Sequence, residues 1–335
     1  MLRIGTIGTS WITKQLIQAV AASDDYRLDK VYSRSLDHAE DFIAELEADA
    51  QDAIAVDSLS DLLSELDIVY IASPNSLHFE QVLAAIRANI NVIVEKPAFS
   101  NPAEYAKVQA VLAQHPDVHL FEAARHIHQP NFKLLVQQVE RLPKVQGATF
   151  TMAQYSSKYD AYLAGKQPNV FEKKFSAGAL YDLGVYPLYA ALTLFGQPQA
   201  VQYLPIMLDN GADGSGSATL FYGDFNVTLH FSKTYNSNQV SEIYGERQTL
   251  TIDHVADVNK LTLSDGQGGV EDLSREQDAN PMAAELSDFA KILANPTKYR
   301  DQYQYDLKLS MLVNQMLFDL RQSAGIDFPA DADEK

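Results

Sequence analysis

The sequence predicts an α/β protein in which a doubly wound parallel sheet is followed by an α+β region with an open, largely antiparallel sheet. Roughly the first 120 residues alternate short apolar segments with segments of helical apolar spacing, which is typical of right-handed crossovers around a parallel sheet. After Gln129-Pro130, short segments alternate apolar with polar residues, which favours antiparallel strands with one covered face. Because 335 residues exceed what one core usually holds, we expect two domains, at 1–122 and 123–335.

The individual elements follow from these patterns in chain order. In the first domain we predict six strands: Leu2–Ile7, Tyr26–Ser33, Ile54–Val56, Ile68–Ala72, Asn91–Val94 and Val118–Phe121. In the second, a helix over Asn131–Val139 precedes segments that we predict as strands: Ala148–Tyr155, Ser217–Tyr222, Asn226–Ser232, Val240–Tyr244 and Thr249–Ile252. Helical spacing closes the chain over Met282–Leu293 and Gln302–Ala324. The polar end, Ala330–Lys335, is predicted to be disordered because it has little apolar surface to bury.

Composition excludes several classes of partner. The formal net charge of −18 repels phosphate groups, so we expect neither nucleic acid nor an anionic membrane as a partner. Without cysteine the chain has no disulfide, thiolate nucleophile or cysteine zinc site. His126 and His128 could share a face if extended, but no third ligand accompanies them, so we expect no metal. We find no membrane-spanning apolar run and no charged leader before Leu2, and expect a soluble, cytoplasmic protein.

A candidate cofactor turn follows the first strand: Gly8, Thr9, Ser10, Trp11 and Ile12. Between a strand and a helix, backbone amides at the helix amino end can bind a pyrophosphate that glycine allows to approach closely. Ser10 stands where the second glycine of the dinucleotide-binding pattern belongs, and its hydroxyl can donate to phosphate. Trp11 could shield a cofactor, although we expect it to pack against the sheet. The alternative for the whole segment is a plain strand-to-helix loop.

The end of the second strand bears on the choice of cofactor. An NAD-binding chain usually places Asp or Glu there to bind the ribose 2′-hydroxyl, whereas Arg accommodates a 2′-phosphate. This strand ends in Ser33-Arg34, which fits a 2′-phosphate through hydroxyl and charge-assisted bonds. We therefore predict NADP(H), with NAD(H) possible. The alternative is a surface arginine that opens the next helix.

Two further strand ends carry polar residues. The fourth strand runs into Ser73-Pro74-Asn75-Ser76-Leu77-His78, and the fifth ends in Glu95-Lys96-Pro97. Ligands of open α/β sheets bind just outside the carboxyl ends of the strands, where a lysine can take part in chemistry. Any strand can end in charged residues, so the tripeptide alone leaves a purely structural role open.

Taken together, four segments resemble the Gfo/Idh/MocA family, the group of glucose-fructose oxidoreductase and inositol dehydrogenase. They are Gly8–Ser10, Ser73–His78, Glu95–Pro97 and Gly178–Pro187. The resemblance implies a Rossmann domain, a second domain for substrate binding and oligomerisation, and hydride transfer between NAD(P) and a sugar, polyol or diol. It also implies a cis bond between Lys96 and Pro97. Cofactor contacts are then expected from Ser73, Pro74, Asn75, His78, Glu95, Lys96 and Arg125, and substrate contacts from Lys96, Arg125, His128, Asp182 and Tyr186.

The chemistry gives roles to three of these residues. Alcohol oxidation needs one titratable group near the oxygen and one donor that stabilises developing charge. Lys96 can be the donor and can lower the pKa of Tyr186, which stands where most family members carry His; Asp182 precedes it by one helical turn. Asp182 could instead cap the helix and Tyr186 fill the core. Glu95 would orient Lys96 or the ribose, or form a salt bridge only.

The sequence is also compatible with three other functions, and it bears on the state of assembly. The chain could be an NAD(P)-binding regulator without turnover, could reduce an imine or tetrapyrrole, or could use a transient hydride to cleave a glycoside. We expect a homodimer or a higher homo-oligomer through the second sheet, because its strands contain many apolar residues: Phe150, Met152, Leu220, Phe221, Tyr222, Leu229 and Phe231.

Overall fold

The computed structural model describes residues 1–50 and 52–334. They divide into two compact units, the first made of Met1–Phe99, Ala103–Ala123 and Asp278–Lys308, and the second of Ser100–Pro102, Ala124–Gln277 and the residues from Leu309 onward. The predicted second domain, which ran unbroken from residue 123, thus differs from the structure at Asp278–Lys308. The physical reason is apolar packing: Phe289 stacks on Phe121 with ring centres 4.5 Å apart, and Met282 and Leu286 are buried in the same core.

The elements lie close to the predicted ones. Strands are β1 (Leu2–Ile7), β2 (Tyr26–Tyr32), β3 (Ile54–Val56), β4 (Ile68–Ile71), β5 (Asn91–Glu95), β6 (Leu120–Ala123), β7 (Val145–Ala153), β8 (Ala200–Met207), β9 (Asp213–Phe221), β10 (Asn226–Ser232), β11 (Ser241–Gly245), β12 (Thr249–Ile252), β13 (Leu261–Ser264) and β14 (Val270–Asp272). Helices are α1 (Trp11–Ala21), α2 (Leu36–Glu45), α3 (Leu59–Leu63), α4 (His78–Arg87), α5 (Pro102–Leu112), α6 (Arg125–His128), α7 (Pro130–Arg141), α8 (Tyr159–Leu163), α9 (Val185–Phe195), α10 (Ala283–Ala294) and α11 (Arg300–Ser323).

The first unit contains a parallel sheet in which the described strands take the order β3-β2-β1-β4-β5-β6. This confirms the predicted doubly wound sheet, and the order reverses between β1 and β4. Apolar side chains are fully buried in the central strands, among them Ile4, Val69, Ile71, Val92 and Val94. Strands that are buried on both faces consist of continuous apolar residues, so the strands of this sheet could be predicted from the sequence.

The second unit contains a sheet in which the described strands take the order β14-β13-β12-β11-β7-β10-β9-β8. Only the β7–β10 pair of this order is parallel, so the prediction of a largely antiparallel sheet is confirmed. Strands β8, β13 and β14 were not predicted. Strand β8 lies at the edge and contains Pro205, and proline argues against a strand in sequence analysis although edge strands tolerate it.

One face of this second sheet holds the core of the unit. Phe150, Leu220, Leu229 and Phe231 are fully buried there, so most of the apolar residues invoked for an oligomer contact already pack within one protomer. The opposite face alternates with them and carries polar side chains, including Thr149, Ser217, Thr219, Thr228 and His230. The reason given for oligomerisation is therefore wrong, whereas the oligomeric state itself stays a prediction.

The end of the chain is folded rather than disordered. Pro329–Glu334 form a 3₁₀ helix, and the buried guanidinium of Arg321 binds both carboxylate oxygens of Asp331 at 2.6 and 2.9 Å. A bidentate arginine–carboxylate pair is a strong, directional contact, and it explains why this polar segment is ordered; Lys335 lies outside the described residues. No helix in the described ranges is long and apolar enough to cross a membrane.

Candidate functional site

The turn after β1 lies where the strand order of the first sheet reverses. Gly8 has φ of +109°, and a Cβ atom at this position would lie 2.7 Å from the carbonyl oxygen of Ala72. The N–H of Ala72 donates to the carbonyl oxygen of Ile7 at 2.9 Å, so the ends of β1 and β4 are adjacent. Glycine is thus required here for both its backbone conformation and its lack of a side chain, as in a turn that admits a phosphate.

The amino end of α1 meets the second requirement of such a turn. Ser10 precedes the helix without making a side-chain cap; its hydroxyl lies 3.4 Å from that of Thr13. Amides of the first helical turn are therefore not satisfied by Ser10 and can face an anion. Trp11 is 72% exposed, which corrects the expectation that it packs on the sheet. The buried face of α1 contains Thr13, Leu16 and Ile17, and a residue two positions before Thr13 points away from it.

The end of β2 lies beside the same turn. Ser33 accepts a weak hydrogen bond from the N–H of Ser35 at 3.5 Å, and Arg34 is exposed. Among the described residues Arg34 has neither hydrogen bond nor ion pair, so its guanidinium is available to a ligand. The ring of His38 lies 2.9 Å from the hydroxyl of Thr9, which links the first turn of α2 to the glycine turn. His38 was not predicted from the sequence, although its position in the helix after Arg34 is a signal that could have identified it.

Lys96 follows β5 and is oriented through its main chain. Its N–H donates to Oε2 of Glu95 at 3.2 Å, while the hydroxyl of Tyr70 donates to Oε1 of the same carboxylate at 2.6 Å. The bond between Lys96 and Pro97 is cis, as the family resemblance implied. Glu95, which is buried, thus connects two neighbouring strands and holds the backbone that carries the lysine.

His78 lies at the start of α4, with its ring buried against backbone carbonyls. Its ring is fully buried, with Nε2 2.8 Å from the carbonyl oxygen of Ser73 and Nδ1 3.2 Å from those of Pro97 and Ala98. Burial lowers the pKa of His78 to about 4, so the ring is neutral near pH 7. His78 therefore braces the loops that follow β4 and β5, and its contact with a cofactor stays a prediction. The hydroxyl of Ser73 donates to Gln81 at 2.7 Å.

In the second unit, Asp182 lies in a π-helical turn over Leu180–Gly184 that leads into α9. Such turns occur often at functional sites. Asp213 anchors the turn, because its buried carboxyl accepts from the N–H of Leu180 and the hydroxyl of Tyr203, both at 2.7 Å. The carboxylate of Asp182 pairs with the ammonium of Lys233 at 2.6 Å. The turn thus places Asp182 beside a buried cation.

Tyr186, one turn later, is almost enclosed, with 9% of its surface exposed. Nε2 of His126 donates to its carbonyl oxygen at 3.2 Å, and the His126 ring meets the Tyr186 ring edge to face at 5.1 Å. His126 and His128 lie in helix α6 and are not extended, so the geometry considered for a metal pair does not occur. The described residues contain no cluster of three or more His, Cys, Asp or Glu side chains that could hold a metal ion.

Arg125 belongs to a small charged network in the second unit. Its guanidinium lies 3.1 Å from Oδ1 of Asp257, and Nδ1 of His254 lies 3.2 Å from Oδ2. The contacts with His254 and Arg125 hold the pKa of Asp257 below its usual value. The next residue, Val258, has a φ of +43°, which is strained for a β-branched residue, and buried Asn131 donates to its carbonyl oxygen at 2.9 Å. The loop is thus held in a shape that aims Asp257 at Arg125.

The structure therefore places the predicted residues in two groups. The first group lies at the switch point of the first sheet and at the ends of the next strands. It contains Gly8 to Ile12, Ser33, Arg34, Ser73 to Asn75, Glu95 and Lys96. The second group, Asp182 and Tyr186, lies within one helical turn of the second unit. His128 is buried. Lys233, Asp213 and Asp257 were not predicted from the sequence, because each contacts its partner through the tertiary structure and residue spacing carries no signal of such contacts.

Two family models match parts of the chain. Residues 2–122 match the family described as an oxidoreductase family with an NAD-binding Rossmann fold, and residues 141–251 match the GFO/IDH/MocA C-terminal domain. The chain is 38% identical over 335 residues to the oxidoreductase YgjR of Escherichia coli, covering 99% of both chains. It is 33% identical over 333 residues to scyllo-inositol 2-dehydrogenase (NADP(+)) IolU of Bacillus subtilis, again covering 99% of both.

A solved structure extends the comparison to the fold. A 3-ketoreductase from Actinomadura kijaniata, in complex with NADP and TDP-benzene, superposes with a TM-score of 0.82 at 20% identity, covering 96% of this chain and 97% of that one. The fold and the order of the motifs agree with the family matches along most of the chain, which confirms the predicted resemblance. The chain belongs to the GFO/IDH/MocA family of oxidoreductases.

Proposed function

We propose that this oxidoreductase prefers NADP(H) and transfers a hydride between the nicotinamide and an alcohol or ketone of a sugar, polyol or diol. One observation carries the proposal: the phosphate turn at Gly8 lies next to a strand end that offers Ser33 and an unengaged Arg34 and no carboxylate. A hydroxyl and a guanidinium suit a 2′-phosphate, whereas NAD binding favours an acid at this place. A relative of 33% identity is named for NADP(+) and an inositol alcohol, which supports both halves of the proposal.

The residues present fit the cofactor. In the first unit we propose that it is held by Gly8, Thr9, Ser10, Trp11, Ile12, Ser33, Arg34, Ser73, Pro74, Asn75, His78, Glu95 and Lys96. The uncapped start of α1 would meet the pyrophosphate, and the exposed indole of Trp11 would cover the turn. When bound, the nicotinamide supplies the hydride acceptor or donor. Proton transfer and the stabilisation of charge would be carried out by side chains of the protein.

Proton transfer and charge stabilisation are assigned to three residues. The ammonium of Lys96 would stabilise negative charge on the substrate oxygen, and the phenol of Tyr186 or Lys96 itself would exchange the proton. Asp182, an anion paired with Lys233, would accept hydrogen bonds from substrate hydroxyls. Arg125 and His128 complete the proposed substrate residues. Arg125 is restrained by Asp257, so its guanidinium is held in place before any ligand arrives.

A cofactor-coupled assay tests the function. Inositols, aldoses and cyclic diols are offered with NADP or NAD, and absorbance of the reduced nicotinamide is followed. We expect turnover with at least one polyol and a preference for NADP. Tight NADP binding without turnover on the whole panel would favour a regulator. Cleavage of a glycoside without net change in cofactor would favour redox-assisted hydrolysis, and turnover of imines alone would favour imine reduction.

Assembly and location form the last part of the proposal. We propose a homodimer through the second sheet, supported by the solvent-facing aliphatic side chains of its edge strand β8, where Leu204 and Ile206 are 65% and 67% exposed. Small molecules are its expected ligands, because the net charge of −18 opposes binding to nucleic acid and anionic membranes. Because turnover of free NADP(H) requires a compartment that supplies it, we propose the cytoplasm, which cell fractionation would test.

A further inference from the structure

Lys233, directly after β10, is enclosed by the second unit, with 1% of its side chain exposed. Its N–H donates to the carbonyl oxygen of Gly214, and its carbonyl oxygen accepts from the N–H of Ser156, both at 2.9 Å. The main chain at Lys233 is therefore held on both sides. The side chain starts from a fixed point and has no direct access to water.

Among the described residues, three groups surround the ammonium nitrogen. It lies 2.6 Å from Oδ2 of Asp182, donates to the carbonyl oxygen of Val170 at 2.5 Å, and lies 4.5 Å from the centre of the Phe171 ring. A buried ammonium is costly unless it is paired and hydrogen-bonded, and an aromatic face adds a further attraction. The pair with Asp182 is therefore needed to keep this cation inside the fold.

A second carboxyl lies near, but it is engaged elsewhere. Asp213 is buried and accepts from the N–H of Leu180 and the hydroxyl of Tyr203, and burial raises its pKa. Asp182 differs because 35% of its side chain is exposed. Oδ2 of Asp182 thus contacts the buried ammonium of Lys233, while part of the Asp182 side chain is exposed on the surface of the second unit.

We infer that Lys233 is a positioning residue that holds Asp182 as an oriented anion in the active site. This inference rests on the proposed function, in which Asp182 accepts hydrogen bonds from substrate hydroxyls. A carboxylate that keeps its charge accepts hydrogen bonds and does not donate them. Lys233 touches no substrate, because it is enclosed; it acts through the charge and rotamer of Asp182.

Lys233→Met removes the cation and keeps a long apolar side chain that can pack on Phe171. We expect the pKa of the Asp182 carboxyl to rise by about 1–3 units, because an opposite charge at this distance lowers it by that amount. Carboxyl ¹³C NMR measures it, with the signal identified by its loss in Asp182→Asn. The acid limb of the kcat/KM profile should move upward by the same amount. If Lys233→Met does not fold, Lys233→Gln keeps a donor for Val170 without the charge.

Thermal unfolding supplies a readout that needs no activity. Asp182→Asn leaves a buried ammonium unpaired, so it should lower the unfolding temperature more than Lys233→Met, whose remaining carboxylate can be hydrated. The double variant should lose less than the two single variants combined. Lys291→Met serves as the matched control, since Lys291 pairs with Asp288 at 3.2 Å but is 54% exposed, and it should change little.

Three results would overturn the inference: an unchanged titration of Asp182 in Lys233→Met, additive effects of the two single substitutions on unfolding, or a normal pH profile of kcat/KM for Lys233→Met in an enzyme that turns over. Lack of turnover by the wild-type protein on every substrate would instead refute the proposed function, while the titration and the unfolding cycle still decide the role of Lys233.

Discussion

Arg34→Ala tests the cofactor assignment most directly. Arg34 is exposed and has no hydrogen bond or ion pair among the described residues, so its removal costs the folded protein neither kind of interaction. It should cost NADP one charge-assisted contact with the 2′-phosphate, of about 1.5–3 kcal/mol. Because the site is open to solvent, which screens charge, we expect the lower end of that range. About 1.5–2 kcal/mol corresponds to roughly ten- to thirtyfold weaker binding.

Titration calorimetry with NADP and NAD measures both affinities in one protein. NAD lacks the 2′-phosphate, so its affinity should change less than twofold by the same reasoning. Arg87→Ala is the control, because Arg87 is also exposed but lies at the last residue of α4, at the opposite edge of the sheet from the strand carboxyl ends. The difference in NADP affinity between Arg34→Ala and the wild-type protein should become smaller at high ionic strength, because salt screens the charge interaction. Tighter wild-type binding of NAD than of NADP, or equal loss for both cofactors, would refute the assignment.

Three further predictions concern catalysis, acid stability and assembly. Lys96→Met should lower turnover by roughly 10²–10⁴ and leave cofactor affinity within a few-fold; near-normal turnover would remove Lys96 from the mechanism. His78 has its pKa lowered from 6.5 to about 4, so the unfolded state takes up its proton first, and stability should fall by up to about 3 kcal/mol as pH drops from 6.5 to 4. Urea unfolding at pH 7 and 4.5 measures this loss, and an equal loss in His78→Asn would contradict it. Light scattering at micromolar concentration should give a dimer that Ile206→Lys weakens; a monomeric wild type would exclude assembly through this sheet.

Local sequence patterns predicted those structural features that depend only on residues close together in the chain. The strands of the first sheet were legible because residues such as Val69, Val92 and Val94 are buried on both faces. Trp11 and the end of the chain were misjudged for related reasons. Helical phase, not residue size, turns Trp11 outward, and a distant arginine, Arg321, orders the tail through Asp331.

The sequence by itself determined the fold class, the family, the glycine turn at Gly8 and the Ser33-Arg34 pair, because each is a property of a short segment and its period. Tertiary structure alone decided which side chains hold those segments in shape. Lys233 meets Asp182, and Asp257 meets Arg125, across 51 and 132 positions of the chain. Contacts over such distances arise from strand order and packing, and residue spacing carries no signal of them. Asp278–Lys308 belong to the first unit for the same reason, because their apolar side chains pack in a core formed by residues far away in the sequence.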